Sequence, residues 1–287
     1  MRPEPVCEEH VLTTTVDGLW ALQVLTGIES IAPELGLRPH LPSVELKPLA
    51  LNHPITAELR EAGVIDESGT VDDTVVEWLT VLSRRDVALF VQIRTPDDDE
   101  PARVLLARFA QWWVVIERSA ELIRIGGAGT ADAEESASTI VSKQLERLCG
   151  HNPPAPLRPV TLDADAMRAA AAAGQDAAAY LADQGLEADQ RWLLTVAADP
   201  SRAAQASIVA IQCGVATGGS QRSHIEASVV TIIDVPEGRL VAENIQSAGT
   251  NWMIVAPGSK TNIGAAINHM LRRLPADSEW HSYRKVV

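Results

Sequence analysis

The residues best suited to proton transfer or metal ligation are the histidines at 10, 40, 53, 151, 224, 269 and 281. None stands in the HxH or HExxH spacing that aims two imidazoles at one ion, so no metal site is expected. Cys7, Cys149 and Cys213 are odd in number and far apart, with no CxxC pair. That usage fits a reducing cytosol better than a disulfide framework or a zinc site. The run "GGAG" at Gly126–Gly129 would cradle a phosphate if it left a strand and opened a helix at once. Here the acidic "TADAEESA" intervenes and supplies no lysine, so a turn leaving a strand is expected. "DDDE" at Asp97–Glu100 has carboxylates for a divalent cation but no EF-hand pattern, and reads as a solvated hairpin loop. There is no GxSxG elbow to present a nucleophilic serine. The pair Trp112-Trp113 places one indole on each face of a strand, either as core plus partial surface or as an aromatic anchor at a partner interface. No catalytic residue and no cofactor is expected, and by elimination the chemistry left is binding.

The elements that would position a binding surface are written twice. "ESASTIVSKQLERLCG" (Glu135–Gly150) and "PGSKTNIGAAINHMLRRLP" (Pro257–Pro275) are amphipathic helices. Leu145-Glu146-Arg147-Leu148 in the first matches Leu271-Arg272-Arg273-Leu274 in the second. In the second copy Asn262 is the expected N-cap. "LTTTVDGLWALQVLTGI" (Leu12–Ile28) parallels an Ala-rich helix over Val160–Leu186, and both open on Thr/Asp capping chemistry. Helix ends follow at Gly63 and Gly185. "TVVEWLTVLSRRD" (Thr74–Asp86) then parallels "DQRWLLTVAADPS" (Asp189–Ser201), aligning Trp78 with Trp192.

Short β-branched strands come next in each half. They are expected at 87–93, 102–109, 112–118 and 121–125, then at 207–213, 226–234, 239–245 and 252–256. Whether Val104–Arg118 makes one bent strand or two stays open at this stage. The order implies an α+β fold built from a quasi-two-fold duplicated unit. One mostly antiparallel sheet would be shared by both copies, with helical bundles at its ends or on one face. The chain is expected to form a single domain of two pseudo-symmetric subdomains, 1–153 and 154–287. Between them "CGHNPPAPLRP" (Cys149–Pro159) is the proline-rich junction.

Composition narrows the partner. The chain has 287 residues, 46% hydrophobic and 22% charged, as expected of a folded soluble protein. Its net charge of −14 disfavours nucleic acid and anionic membranes, which need a cationic face. Residues 1–153 carry −12 of that charge and residues 154–287 only −2, so the second half suits an acidic partner better. The basic tail "SYRKVV" (Ser282–Val287) reads as a solvated cationic end, or else as a further attraction for an acidic partner. No apolar run reaches the roughly 18–20 residues that span a bilayer. The start "MRPEPVCEEH" lacks an apolar signal core, so a cytoplasmic protein is expected.

An ordered set of segments carries a resemblance from about Val11 to the last residue. These are "LTTTVDGLWALQVLTGI", "PELGLRP", "VVEWLTVLSRRD", "RFAQWWVVIER", "ERLCG", "PLRPVTLDAD" and "LRRLPADSEWHSYRKVV". Together they resemble the EspG family of mycobacterial type VII (ESX) secretion systems, its second ESX branch in particular. The resemblance implies a quasi-two-fold α+β body that is cytosolic and non-enzymatic. It implies a chaperone that binds the apolar helical tip of the PPE subunit in PE–PPE heterodimers and keeps it soluble before export. It also implies docking through the central sheet, a loop between early strands and the C-terminal helices. By element, the candidates are Ala227, Val229, Thr231 and Ile233 on one strand face, and Arg239 and Val241 on the next strand. Ile267, Met270, Leu271 and Leu274 on the closing helix complete them. The loop "RTPDDDEPA" (Arg94–Ala102) departs from the family in being short and strongly acidic. Self-association into a homodimer stays open. The runner-up reading is a small-molecule-binding protein or enzyme with its pocket between the halves.

Overall fold

Thr15 ends strand β1 (Val11–Thr15) and starts helix α1 (Val16–Thr26), its hydroxyl accepting the Gly18 N–H at 3.2 Å. This is the first joint in a computed structural model that describes residues 11–98, 100–217 and 220–285. The segment Met1–His10 with Cys7, the loop residue Asp99, Gly218 and Gly219, and the last two residues lie outside the described residues. Two short helices follow, α2 (Lys47–Leu51) and α3 (Ile55–Glu61). Helix α4 (Asp73–Arg84) starts where the Asp72 carboxylate accepts the Thr74 and Val75 N–H groups. Four strands come next: β2 (Val87–Arg94), β3 (Ala102–Phe109), β4 (Trp112–Ser119) and β5 (Leu122–Thr130). Helix α5 (Glu134–Cys149) closes the first half.

The second half repeats the order. Strand β6 (Val160–Asp163) leads into α6 (Ala164–Ala172), capped by the Asp163 carboxylate. Helices α7 (Ala177–Ala182) and α8 (Ala188–Ala198) follow, then β7 (Ala204–Thr217) and β8 (Ser220–Ile225). The half ends with β9 (Val230–Val235), β10 (Gly238–Ser247), β11 (Thr250–Pro257) and α9 (Lys260–Arg272).

Among the described residues the strands form one sheet in the order β1-β5-β4-β3-β2-β7-β9-β10-β11-β6, with β8 paired to β7. The order is palindromic: β2 and β7 are central antiparallel neighbours, and each flank mirrors the other. Helices cover both faces, not the ends or one face alone. On one face α1–α4 pack over the first half and α6–α8 over the second. On the other face α5 and α9 share a single core with side chains from both halves, including Leu89, Val104, Ile208 and Ile232.

The two similar helices therefore pair with each other. Their contacts step up one as they step down the other: Glu134 to Arg272, Ser138 to Asn268 at 3.1 Å, Glu146 to Lys260 at 2.7 Å. A single half would leave this stripe bare.

Several local expectations are corrected. "GGAG" does not leave a strand but lies within β5, where a β-bulge opposite Trp113/Val114 absorbs the irregular backbone. The Ala-rich segment is not one helix, because Gly174 at φ +80° breaks it between α6 and α7. It is also preceded by a strand that alternation over four residues barely signals. The N-cap of α9 is Ser259, whose hydroxyl accepts the Asn262 N–H at 3.1 Å. Residues 104–118 form two strands, turned at Ala110 and Gln111.

Candidate partner-docking surface

The expected docking residues separate into three groups. Strand β9 begins at Val230, so exposed Ala227 and half-buried Val229 lie in the connection before it, not on its face. Thr231 and Ile233 do share a face. Ile233 pairs with Leu240, however, so the alternating pleat sends Arg239 and Val241 through to the opposite side. Ile233 joins the core beneath α7 and α8, and Val241 joins the core beneath α9. Ile267, Met270 and Leu271 on α9, and Leu274 just after it, are each 2% exposed or less and pack inward. An apolar stripe at three- and four-residue steps is how a core-covering helix is written. In this structure the stripe covers the core and presents nothing at the surface.

Arg239 is fully engaged by its own chain. Its guanidinium makes two 2.7 Å bonds to Asp234 and donates to the Cys149 and Gly150 carbonyls at 2.6 and 3.0 Å. The Asp234 carboxylate raises the Arg239 pKa further above its ordinary value. This side chain fastens the end of α5 to β10. A cleft of about 200 Å³ beside it is lined by His151, Ser259 and Lys260. Burial pushes the neighbouring Cys149 thiol up to about 11, which keeps it protonated and weakly nucleophilic.

The open part of the sheet lies along its centre, on the face shared by α1–α4 and α6–α8. On β2 and β7 the alternates Leu89, Val91, Ile208 and Ala210 are at most 1% exposed, beneath α5 and α9. Their neighbours Phe90, Gln92, Ser207 and Val209 are only half-buried. Phe90 stands opposite Val209, Gln92 opposite Ser207, and Ser207 opposite half-buried Thr231. The helices of this face contact β3–β5 on one side and β9, β11 and β6 on the other, which leaves the middle the least covered strip. It is apolar and uncharged at its centre, fit to take an apolar surface. Sequence reading overlooked Phe90, Gln92, Ser207 and Val209. The signal was present, since Gln92 and Ser207 interrupt otherwise apolar strands with the same parity.

Further exposed apolar groups rim the helical layers. Leu41, Val44, Leu46 and Leu49 are 53–65% exposed before and within α2, and Trp192 on α8 is 48% exposed. Among the described residues no three His, Cys, Asp or Glu side chains are placed to hold a metal, and no helix is long and apolar enough to cross a membrane.

Comparison with known proteins gives a consistent result. A family model described as the EspG family matches residues 15–269. The chain is 48% identical over 277 residues to the ESX-2 secretion-associated protein EspG2 of Mycobacterium tuberculosis, covering 96% of this chain and 100% of that one. It is 26% identical over 303 residues to the ESX-5 secretion-associated protein EspG5 of Mycobacterium marinum, covering 96% and 97%. A solved structure of the M. tuberculosis type VII secretion system chaperone EspG5, in complex with a PE25–PPE41 dimer, matches with a TM-score of 0.74. That match has 25% identity and covers 96% of this chain and 100% of the other.

Proposed function

The chain belongs to the EspG family, and from that premise we propose a cytosolic, non-catalytic chaperone that holds the apolar helical tip of a PPE protein within its PE–PPE pair. The observation that carries this reading is the half-buried strip over β2, β7 and β9, set between two helical layers on the face away from α5 and α9. Burying an apolar side chain contributes roughly 1.5–3 kcal/mol. A few such side chains on a helix tip account for useful affinity, and for aggregation when they are left in water. Phe90 and Val209 form the centre of the docking surface, Ser207 and Thr231 its polar margin, with Ala227 and Val229 at the end of the strip. Ile233, Arg239, Val241 and the α9 side chains support it from within the fold. The two halves, divided near residues 153 and 154, act as subdomains that frame the strip.

Co-expression with a PE–PPE pair of the same secretion branch tests this. Wild type should capture the pair in equal stoichiometry and keep it soluble. Val209→Glu, folded by circular dichroism, should lose capture. Equal capture by the folded variant would remove the strip from the interface.

A further inference from the structure

The docking strip is not equally open on its two sides. On the first-half side Leu105 and Ala107 of β3, opposite Phe90 and Ala88, are fully buried. The segment 31–36, with its 3-10 turn Pro33–Leu35, packs over β3 and is fastened at both ends. Arg85 pairs with Glu34 and donates to the Ile31 carbonyl at 2.6 Å. Arg118 donates to the Leu35 and Gly36 carbonyls at 3.0 and 3.1 Å. That cover belongs to the long connection 27–46 between α1 and α2. The second half joins α6 to α7 through residues 173–176, too short a stretch to form a matching cover.

On the second-half side the strip is bordered by a ledge that runs from β8 into β9, the counterpart of β3. Register sets Ile225 opposite Ile211 and Thr231 opposite Ser207 on β7. Ile211 and Ser207 share the parity of Val209, so Ile225 and Thr231 stand on the face of the strip. Between them the alternation of open and covered residues continues. Ala227 is exposed and Val229 half-buried, while Ser228 and Val230 are buried. The intervening Glu226 and Ser228 turn to the α9 side, where Arg273 lies 3.7 Å from Glu226 and donates to the Ser228 hydroxyl at 3.1 Å. Ile225 is the sole apolar residue of β8. It is 63% exposed, although Ile211 opposite it is buried.

We propose that the apolar helix tip docks off the axis of the sheet, against the second half, with Ile225 as its outer anchor; this rests on the chaperone reading above. A site on the axis of a duplicated fold offers two directions to a partner that lacks the symmetry. The cover over β3 closes one side, and the ledge leaves a single direction. An apolar helix end fits because Ile225, Ala227 and Val229 carry no charge and Glu226 is turned away to Arg273. The apolar surface also runs from Val209 through Ile211 to Ile225 without a break. Residues 154–287 carry only −2 of the net charge, so this side repels an acidic partner least.

The test uses the full chain co-expressed with a PE–PPE pair of the same secretion branch. Ile225→Asp should melt like wild type, since the side chain is exposed, and should capture the pair about tenfold less well. Ile225→Leu should capture it normally. His224→Ala, on the opposite face of the same strand, should also leave capture unchanged. If folded Ile225→Asp captures like wild type while Val209→Glu does not, the ledge is overturned and the strip stands. If both variants keep capture, the strip falls and the ledge with it. Loss of capture by folded His224→Ala as great as that of Ile225→Asp would show a disturbed hairpin and overturn the anchor. A dimer of the free chain that Ile225→Asp dissociates would assign the ledge to a second copy and overturn it equally.

Discussion

Glu134 and Arg272 clasp the amino end of α5 to the carboxyl end of α9, with Arg272 Nη2 at 2.8 and 2.9 Å from the two carboxylate oxygens and Nε at 3.0 Å. The Trp280 indole N–H approaches the same carboxylate at 3.4 Å. Arg272 holds the Glu134 pKa below its ordinary 4.5, and hydrogen bonds likewise lower Glu45, Glu146, Asp165 and Asp199. A lowered carboxyl stabilises the fold fully above its unfolded value and loses that stabilisation as pH falls through the folded one. Denaturation midpoints should therefore be level from neutrality down to about pH 5 and fall steadily below the ordinary carboxylate range. Glu134→Gln should flatten part of that decline, measured by urea titration across the pH series.

Trp280 is fully buried and meets Trp113 edge-on, with ring centroids 6.5 Å apart and planes at 77°. Beyond it, the Tyr283 hydroxyl donates to the Cys213 carbonyl at 3.1 Å and Arg108 donates to the Tyr283 carbonyl at 2.7 Å. The end of the second half is thereby sewn to β3 and β4 of the first. Trp280→Ala should cost roughly 3–5 kcal/mol, read as a lower denaturant midpoint. Met270→Asp places a carboxylate where no part of the residue is exposed, and should give insoluble protein rather than a folded protein lacking partner capture.

Removing the Arg239 side chain leaves Asp234 without its cation and two carbonyls at the end of α5 without donors. Arg239→Ala should cost about 3–5 kcal/mol. Arg239→Ala/Asp234→Asn should recover part of it, because the uncompensated carboxylate is gone. A double-mutant cycle in denaturant measures the difference, and equal losses in both variants would show that the pair contributes little.

Burial raises the Cys149 thiol from an ordinary 9.0 to about 11. At a pH between neutrality and 8 its thiolate fraction is about a hundredfold below that of an ordinary thiol. Alkylation by iodoacetamide, followed by mass spectrometry of the Cys149 peptide, should be slower by about that factor than in the urea-unfolded chain.

The duplication was legible because it repeats over many residues. Caps, apolar steps and glycine stops recur in the same order, and strands such as Val87–Arg94 announce themselves by β-branched content. Strands β1 and β6 were not legible: each is five residues or fewer and runs straight into a helix whose cap it supplies. The site was less legible for a different reason. Periodicity tells which residues of α9 share a face, but not whether that face meets the core or a partner. Pleat parity tells that Thr231 and Ile233 agree, but only the register Ile233–Leu240 shows that Arg239 and Val241 face away. Both facts depend on contacts far apart in the chain.

Parity also gives the sharpest test of the docking surface, since adjacent residues on one strand should fail in opposite ways. Val230 is fully buried beneath α9 and Thr231 is half-buried on the strip. Val230→Arg forces a cation into the core and should abolish soluble expression. Thr231→Arg leaves the cation at a margin that solvent reaches, so stability should change by less than about 1 kcal/mol. Its capture of a PE–PPE pair should nonetheless fall about tenfold, because a charged head would stand on the proposed docking strip. The same contrast holds on β2, where Val91 is 1% exposed and Gln92 half-buried. Capture assays paired with thermal melts on Val230→Arg, Thr231→Arg, Val91→Arg and Gln92→Arg separate the two faces. If Thr231→Arg and Gln92→Arg melt like wild type and capture the pair equally well, docking lies elsewhere on the molecule.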